Sequence, residues 1–332
     1  MATGIWFPRA RAVELRDEPD ASLGPTDVFV KTLVSAISHG TEMLVYRGEV
    51  SPELALDLPT LAGSFGFPVK FGYASVGRIT SCGAGVTGHA VGDLVFVHHP
   101  HQDQYRVTAS SVIPLPRALD PERGVFFANT ETAVNILLDA HPRPGDVVAV
   151  FGQGVVGLLV TQLLHRAGAR VVAIEPLALR RQLALVCGAQ AAVPPAEARE
   201  TIDRASEGRG ADLAIEVSGN AGALQQAIDS AAFQATIVVA SWYGTKLVPL
   251  ALGGRFHRAR LRIVSSQVGV VDPALAPRWD RARRTEVACD LLRELVLPPL
   301  ITHRIPFARA AEAYALLDTH PDDTVQVLLT YA

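Results

Sequence analysis

Residues 147–157 read VVAVFGQGVVG, and this stretch decides the fold. The apolar run Val147–Phe151 is typical of a buried strand, and a helical pattern follows it. Between them lies a GxGxxG turn, in which the first glycine permits a tight bend, the second lets the backbone approach a pyrophosphate and the third lets helix and strand pack closely. The strand–turn–helix context predicts a dinucleotide phosphate site at the helix N-terminus. The residues expected to hold it are Gly152, Gly154, Val155, Val156 and Gly157.

Short buried runs and helical patterns alternate downstream of this turn. Continuous apolar runs between helices indicate a parallel sheet that is covered on both faces. The predicted strands are Val147–Phe151, Arg170–Ile174, Ala191–Val193, Asp212–Val217, Ala235–Ser241 and Leu261–Ser266. The fold class predicted here is α/β, a doubly wound parallel sheet of the Rossmann type.

The second predicted strand leads into Glu175. An acidic side chain at this place hydrogen-bonds the ribose hydroxyls of adenosine and repels a 2′-phosphate. Glu175 therefore predicts NAD(H) rather than NADP(H) as the cofactor. Arg180 and Arg181 lie on the next helix and would partly offset that preference, and Arg180 is counted among the cofactor-binding candidates.

Polar residues follow two further strands of the predicted sheet. Ser218 follows one strand, and Ser241, Trp242 and Tyr243 follow the next. Ligands collect at the carboxyl ends of strands in open α/β sheets. We therefore expect Ser218 to flank the nucleotide, and Ser241 with its two aromatic neighbours to border the nicotinamide.

The first part of the chain, to about residue 118, reads as β-rich. Glycines are dense in GAGVTGHAVGDLVFV at 83–97, which suits the tight corners of a barrel. The last apolar run, Val325–Leu329, is predicted to return to this β-rich domain. The expected ranges are 1–133 for the first part of the catalytic domain, 134–269 for the nucleotide-binding domain and 270–332 for the return.

The composition excludes several classes of protein. The 332 residues carry a formal net charge of −3, with a pI of about 6.4, so neither nucleic acid nor an anionic membrane is indicated as a partner. Three cysteines are too few and too scattered for a disulfide framework. No secretory signal is recognisable and no apolar run is long enough to span a bilayer, so a cytoplasmic protein is expected.

A cluster of arginines lies near the predicted helix at 284–296. Their spacing and the apolar residues that follow predict the solvated face of an amphipathic helix. The arginines assigned to that face are Arg278, Arg281, Arg283 and Arg284.

The chain resembles the medium-chain dehydrogenase/reductase superfamily over essentially its whole length. The resemblance rests on GYASVGRI at 72–79, GDLVFV at 92–97, AVFGQGVVGLL at 149–159, EVSGN at 216–220 and HRIPFARAAEAY at 303–314. It implies a GroES-like, barrel-like catalytic domain beside the Rossmann domain. SHGTE at 38–42 and GYASVG at 72–77 are similar to the subgroup of bacteriochlorophyllide a hydroxyethyl dehydrogenase.

The sequence departs from the zinc alcohol dehydrogenases of that superfamily at the metal positions. The resemblance places Ser38 where the first zinc cysteine stands, Tyr73 and Ala74 where the His-Glu pair stands, and Gly124 near the third ligand. The four-cysteine structural lobe expected after Gln102 is absent from the sequence. Since a zinc site needs three or four N, S or O ligands, the sequence predicts no metal.

A less favoured alternative is a metal site assembled from other residues. The resemblance brings six candidate ligands towards one region: His39, Glu42, His98, His99, His101 and Glu131. Neighbouring histidines on a strand point to opposite faces, and such histidines are often polar groups of a pocket or loop.

Without zinc, a side chain or a water chain must move the substrate proton. The resemblance puts Ser38, Tyr73 and His99 around the substrate, and it puts His39 near the cofactor pyrophosphate, where it would join a proton relay. Glu42 lies one helical turn from Ser38 and would share its side of a helix that begins there. Tyr73 is the preferred acid/base residue because it replaces a ligand at the reaction centre.

Each catalytic candidate also has a structural interpretation. Tyr73 can simply pack its ring, and Glu42 can cap a helix or pair with Arg47. Glu131 can hold the domain junction, and His99, with His98, can line a mixed aromatic and polar pocket.

The sequence therefore predicts a zinc-independent, NAD(H)-dependent alcohol dehydrogenase or ketone reductase acting on a small molecule. The alternatives are a quinone or enoyl reductase and a nucleotide-binding protein without catalysis. We also expect a homodimer joined through the apolar strand Leu261–Ser266 at the edge of the Rossmann sheet, because exposed edges invite pairing.

Overall fold

The structure is a computed structural model that describes residues 1–19, 21–56, 60 and 63–332. The chain forms two compact units: Met1–Ala128 with Ile301–Ala332, here the catalytic unit, and Asn129–Leu300, here the nucleotide unit. Helix α3 (Phe127–Ala140) contains the first boundary. In the described part of the chain, no helix is long and apolar enough to cross a membrane.

The nucleotide unit is built on a six-stranded parallel sheet, as the sequence predicts. The strand order β10-β9-β8-β11-β12-β13 is that of a doubly wound sheet with two mononucleotide-binding halves. The bounds are β8 (Val147–Phe151), α4 (Val155–Arg166), β9 (Arg170–Ile174), α5 (Ala178–Val186), β10 (Ala191–Val193), α6 (Ala198–Ser206), β11 (Ala211–Glu216), α7 (Ala221–Ser230), β12 (Ala231–Val239), β13 (Arg262–Ser265) and α8 (Arg281–Glu294).

The central strand of this sheet is apolar because both of its faces are covered. All five residues of β8 are fully buried, and Val147, Ala149 and Phe151 join a core with Ile202, Leu224 and Ile237 from the flanking elements. Because β8 is buried on both faces, its carboxyl end is held in place at the start of the glycine turn.

The second boundary between the units falls later than the sequence suggests, after Leu300 rather than after residue 269. Helix α8 packs with the nucleotide unit, and its Arg284 is 3% exposed rather than solvated. Arg284 donates to the Asn135 amide oxygen at 2.6 Å and forms an ion pair with Glu131 at 3.2 Å. The predicted solvated face was wrong for Arg284 because these long-range partners remove its guanidinium from water.

The catalytic unit contains a seven-stranded, mainly antiparallel sheet and a two-stranded sheet of β1 and β2. Its larger sheet has the order β14-β15-β3-β4-β5-β7, with β6 also paired to β3. The bounds are β1 (Ala2–Trp6), β2 (Glu14–Glu18), β3 (Asp27–Ile37), α1 (Thr41–Arg47), β4 (Ser75–Cys82), β5 (Leu94–Val97), β6 (Gln104–Thr108), β7 (Val112–Pro114), α2 (Pro121–Gly124), β14 (Ile301–Pro306), α9 (Ala310–Thr319) and β15 (Gln326–Thr330).

The C-terminal strand returns to the β-rich unit, as predicted. Strand β15 pairs antiparallel with β3, so that Leu329 lies opposite Ser35. Helix α9 packs beside α1, and Tyr314 stacks on Tyr46 with ring centroids 5.3 Å apart. The return therefore brings α9 and β15 against the residues that follow β3.

Candidate active site

The glycine turn of the nucleotide unit has the geometry of a phosphate loop. Gly152 has a φ of +98°, and a Cβ there would lie 2.8 Å from the Ser218 Cα. A Cβ on Gly157 would lie 2.1 Å from the Gly152 carbonyl oxygen. The protein's own packing therefore requires glycine at the first and third positions of the motif.

Gly154 is different, because its glycine is not required by the fold. Its φ is −70°, and nothing lies within 4 Å of a Cβ placed there. Helix α4 begins at the next residue, and the first N–H groups of a helix have no partner within the helix. The open space before Val155 and Val156 suits an anionic phosphate group.

Glu175 is buried directly beside this loop. Its carboxylate accepts the Gln153 N–H at 2.7 Å and the Leu177 N–H at 3.1 Å. Arg181 donates to the main-chain oxygens of Glu175 and Pro176 rather than to that carboxylate. Glu175 therefore ties the phosphate loop to the end of β9.

Gln153 and Arg180 lie close to the same loop. The Gln153 side chain turns inward, where its amide oxygen accepts the Thr161 hydroxyl at 3.1 Å. Burial lowers the pKa of Arg180, and the charge of Glu175 opposes that change. Gln153 occupies a variable position of the motif, so its buried role could not be predicted from the sequence.

Ser218, Ser241 and Tyr243 lie together at the carboxyl ends of β11 and β12. Glu216, which is fully buried, accepts the Ser218 hydroxyl at 2.6 Å and the Tyr243 hydroxyl at 2.8 Å. The Ser241 hydroxyl accepts the Gly219 N–H at 2.8 Å. Burial and the neighbouring Glu216 raise the pKa of Tyr243.

Sequence reasoning missed Glu216 as the centre of this group. The available signal was a carboxylate at the end of an otherwise apolar strand, within EVSGN at 216–220. A buried carboxylate needs several donors, and here main-chain and hydroxyl groups supply them.

In the catalytic unit, Tyr73 is half-buried and lies beside Ser38 and Thr41. Burial raises the pKa of Tyr73 to about 12, hydrogen bonds with the side chains of Ser38 and Thr41 oppose the increase, and the charge of Glu42 adds to it. The ring also contacts Phe71 edge-on, with centroids 6.2 Å apart. The Tyr73 phenol is therefore protonated at neutral pH, as a proton donor must be.

Glu42 is fully buried and does not face an open site. Helix α1 begins at Thr41, so Ser38 precedes the helix, and Glu42 reaches it by accepting the Ser38 main-chain N–H at 3.1 Å. Arg47 pairs with Asp318 at 2.6 Å instead of with Glu42. The expectation of a shared helical face was wrong, because the contact runs through the backbone.

His101 is the main partner of Glu42. Its Nε2 lies 2.8 Å from the Glu42 Oε1, and its Nδ1 lies 2.7 Å from the Ser35 hydroxyl. The Ser35 hydroxyl lies 2.8 Å from the Tyr331 hydroxyl, and Tyr314 donates to the Glu42 carboxylate. The sequence singled out His101 only as a metal candidate.

His99 occupies an enclosed position. Its ring stacks on Tyr105 at a centroid distance of 3.6 Å, and its Nδ1 is 2.9 Å from the Pro100 carbonyl oxygen. Burial lowers the pKa of His99 to about 3, so the ring is neutral at physiological pH. This geometry favours the structural interpretation of His99 over an acid/base role, while His39 precedes α1 and its relay role stays a prediction.

The residues that the resemblance assigns to the zinc positions do not fit a zinc ion. Tyr73 is held by Ser38 and Thr41, and a phenol and a hydroxyl replace the histidine and the cysteine. A Cβ on Gly124 would lie 2.7 Å from a Leu115 methyl group, so no ligand side chain has room there.

The alternative metal site of six residues, which the sequence analysis described, also lacks side chains arranged as metal ligands. His101 uses both ring nitrogens on Ser35 and Glu42, while Glu131 lies in the nucleotide unit with Arg284. Among the described residues, no group of three or more His, Cys, Asp or Glu side chains is arranged to hold a metal ion.

Comparisons with known proteins relate the chain to dehydrogenases. Residues 155–280 match the sequence model of the family described as zinc-binding dehydrogenase. D-guloside 3-dehydrogenase of Escherichia coli is 29% identical over 97% of this chain and 97% of its own length. The 2-desacetyl-2-hydroxyethyl bacteriochlorophyllide A dehydrogenase of Cereibacter sphaeroides is 29% identical over 92% of this chain and 90% of its own.

Solved structures share the fold over the full length. The 2R,3R-butanediol dehydrogenase of Bacillus subtilis matches with a TM-score of 0.82, at 21% identity and 99% coverage of both chains. An Escherichia coli alcohol dehydrogenase complexed with NADH matches at 0.81, with 20% identity and 99% coverage of both chains. A Sinorhizobium meliloti dehydrogenase bound to NADP matches at 0.79, with 21% identity and the same coverage.

Proposed function

We propose that this chain, an oxidoreductase of the zinc-binding dehydrogenase family within the medium-chain superfamily, transfers a hydride between NAD(H) and an alcohol or carbonyl substrate without zinc. The observation that carries the proposal is the phosphate loop. Gly154 faces open space at the start of α4, and no packing or backbone strain accounts for glycine there. A bound pyrophosphate does account for it.

The cofactor is a nicotinamide dinucleotide, and we propose NAD(H) rather than NADP(H). When bound, its nicotinamide ring accepts or supplies the hydride. Gly152, Gly154 and Gly157 with the N–H groups of Val155 and Val156 would hold the pyrophosphate. Glu175 supports NAD(H), because a buried carboxylate beside the loop disfavours a 2′-phosphate.

Zinc independence is supported by the chemistry of the residues at the inherited metal positions. Ser38, Tyr73 and Gly124 provide neither a thiolate nor an imidazole, and Gly124 has no space for a side chain. We therefore assign no step to a metal ion.

Tyr73 is the proposed acid/base group of the reaction. In carbonyl reduction its phenol gives a proton to the substrate oxygen, and in alcohol oxidation it takes that proton back. The hydrogen bonds with Ser38 and Thr41 would fix the direction of the phenol O–H.

The proposed substrate is a secondary alcohol of a sugar-like molecule or the corresponding ketone. The support is the relative named D-guloside 3-dehydrogenase, which aligns along nearly the full length of both chains. Reduction of activated double bonds remains the alternative enzymatic function, and nucleotide binding without catalysis is the alternative outside enzymology. We also propose that the protein is a homodimer in the cytoplasm.

A substrate panel separates these functions. Purified protein is incubated with NADH and, in separate reactions, with keto-sugars, simple ketones, quinones and enones, while absorbance at the NADH band is followed. The proposal expects turnover with the ketones and keto-sugars. Turnover with enones or quinones alone would favour the second function, and NADH binding without turnover on any compound would favour the third.

A further inference from the structure

The catalytic unit encloses a charged hydrogen-bond network that the proposed chemistry does not use directly. The side chains of Glu42, His101, Ser35 and Tyr314 are all fully buried. They come from α1, from the segment between β5 and β6, from β3 and from α9, so four parts of the chain meet in one network. A buried carboxylate is costly unless several donors satisfy it.

Glu42 is the common acceptor of the network. An ionised carboxylate only accepts, so the Ser38 N–H, the Tyr314 O–H and the His101 Nε2–H all donate to Glu42. The His101 Nδ1 lies 2.7 Å from the Ser35 hydroxyl, which lies 2.8 Å from the Tyr331 hydroxyl. A continuous series of polar side chains therefore leads from Tyr331 to Glu42.

The network lies directly behind Tyr73. Gly72 has a φ of +136°, and a Cβ there would lie 2.7 Å from the His101 Cδ2, so the chain passes the imidazole closely just before Tyr73. Glu42 holds the Ser38 main chain, and the Ser38 side chain hydrogen-bonds Tyr73.

The titratable groups behind the phenol come from four parts of the chain. These groups are Glu42, His101, Tyr314 and Tyr331. Among them, Glu42 acts on Tyr73 directly, because its negative charge raises the pKa of the phenol.

We propose that Glu42 and His101 form a positioning pair that holds the Ser38 backbone beside Tyr73 and whose negative charge opposes ionisation of the phenol. This inference rests on the proposed function for its catalytic meaning. Tyr73 gives its proton to the carbonyl oxygen while the carbonyl carbon receives the hydride of NADH, and water then returns a proton to the phenolate. The product alcohol has gained one C–H and one O–H bond, and NADH has become NAD⁺.

The charge state of Tyr73 can be measured without knowing the substrate. The sequence has six tyrosines, so protein labelled with ¹³C at tyrosine Cζ gives few resonances, and Tyr73→Phe identifies the one to follow. Its chemical shift is recorded against pH in the wild type, in Glu42→Gln and in Glu42→Asp. Glu42→Asp is the matched control, because it disturbs the packing but retains the charge.

We expect wild-type Tyr73 to stay un-ionised beyond pH 10. Glu42→Gln should move its titration to lower pH by on the order of one unit, the scale on which a neighbouring charge acts, and Glu42→Asp should restore most of the difference. Equal titration in wild type and Glu42→Gln, or equal effects of Gln and Asp, would overturn the inference. If Glu42→Gln does not fold, the titration of wild-type Tyr73 alone tests the inference. Ionisation of wild-type Tyr73 below pH 9 would then overturn the inference.

A measurement of enzyme activity separates this inference from the proposed function. In an active enzyme, the alkaline limb of kcat/KM for reduction should move to lower pH in Glu42→Gln and not in Glu42→Asp. Near-normal turnover of Tyr73→Phe would defeat the proposed acid/base role, while the NMR result would still decide whether Glu42 controls the phenol.

Discussion

At the scale of single residues, Tyr73 carries the proposed proton transfer. Replacing it with phenylalanine removes only the hydroxyl that Ser38 and Thr41 hold, and the ring keeps its contact with Phe71. We expect turnover to fall about 10²–10⁴-fold, the usual contribution of general acid/base catalysis, with NADH affinity unchanged. Steady-state kinetics and NADH fluorescence titration measure the two quantities.

A purely structural role for Tyr73 would give a different result. The melting temperature of Tyr73→Phe would then fall, while turnover per folded molecule stayed near that of the wild type. A well-folded Tyr73→Phe protein with near-normal turnover would remove Tyr73 from the mechanism.

The second prediction for a single residue concerns Glu175. Replacing it with serine removes the negative charge expected beside the adenosine ribose, so the ratio of NADPH to NADH affinity should rise by roughly tenfold, or about 1.4 kcal/mol. Because Glu175 also accepts the Gln153 and Leu177 N–H groups, Glu175→Gln is the control that keeps an acceptor. Tighter binding of NADPH than of NADH by the wild type would refute the assignment.

The residues that carry the site differ in how readily the sequence identifies them. The glycines and Glu175 belong to a local motif, so spacing alone identifies them. Glu42 and His101 are 59 positions apart, and Tyr314 is 272 positions from Glu42. Such partners meet only after the strands have paired, and a buried histidine looks the same in sequence as a metal ligand.

At the scale of elements, the β8–α4 turn allows packing and ligand binding to be separated. Gly154→Ala places its Cβ in open space, so the free energy of unfolding should change little, while NADH affinity falls because the methyl group occupies the phosphate approach. Gly157→Ala places its Cβ 2.1 Å from the Gly152 carbonyl oxygen and should destabilise the fold by roughly 1–3 kcal/mol. Urea unfolding and NADH titration of both variants test this difference.

Unchanged NADH affinity in a stable Gly154→Ala protein would contradict a pyrophosphate at this turn. Equal losses of stability in the two glycine variants would show instead that Gly154 is a packing position.

Strands and helices could be predicted from the sequence where burial alone determines the pattern of apolar residues. Strand β8 is apolar at every position because helices cover both faces of its sheet, and its predicted bounds agree with the structure. Strand β6 alternates buried and exposed residues within only five positions, QYRVT, which periodicity cannot distinguish from a loop. Arg284 on α8 was misassigned because the spacing of charges on a helix does not reveal a buried partner such as Asn135.

At the scale of the whole molecule, strand β13 is the basis for predicting a homodimer. It lies at one end of the six-stranded sheet, paired only with β12 within the described part of the sheet. An unpaired strand edge favours association with a second copy. Light scattering at micromolar concentration should give twice the chain mass of 35.4 kDa, and the mass of one chain would contradict the prediction.

The likeness to dehydrogenases gives the residues at the zinc positions their interest. Relatives named as dehydrogenases align along nearly the whole chain at 29% identity, and the resemblance assigns Ser38, Tyr73 and Gly124 to the zinc positions. Under the proposed function, the fold is retained while the source of the proton differs, because the nucleotide loop and the acid/base group are separate parts of the sequence.

The most direct test of zinc-independent hydride transfer is the activity of metal-free protein. The purified chain is assayed for zinc by elemental analysis, dialysed against a chelator and then assayed for NADH-dependent reduction of the best ketone from the substrate panel. We expect far less than one zinc per chain and full turnover after chelation. One zinc per chain, with activity lost on chelation and restored by added zinc, would contradict this expectation.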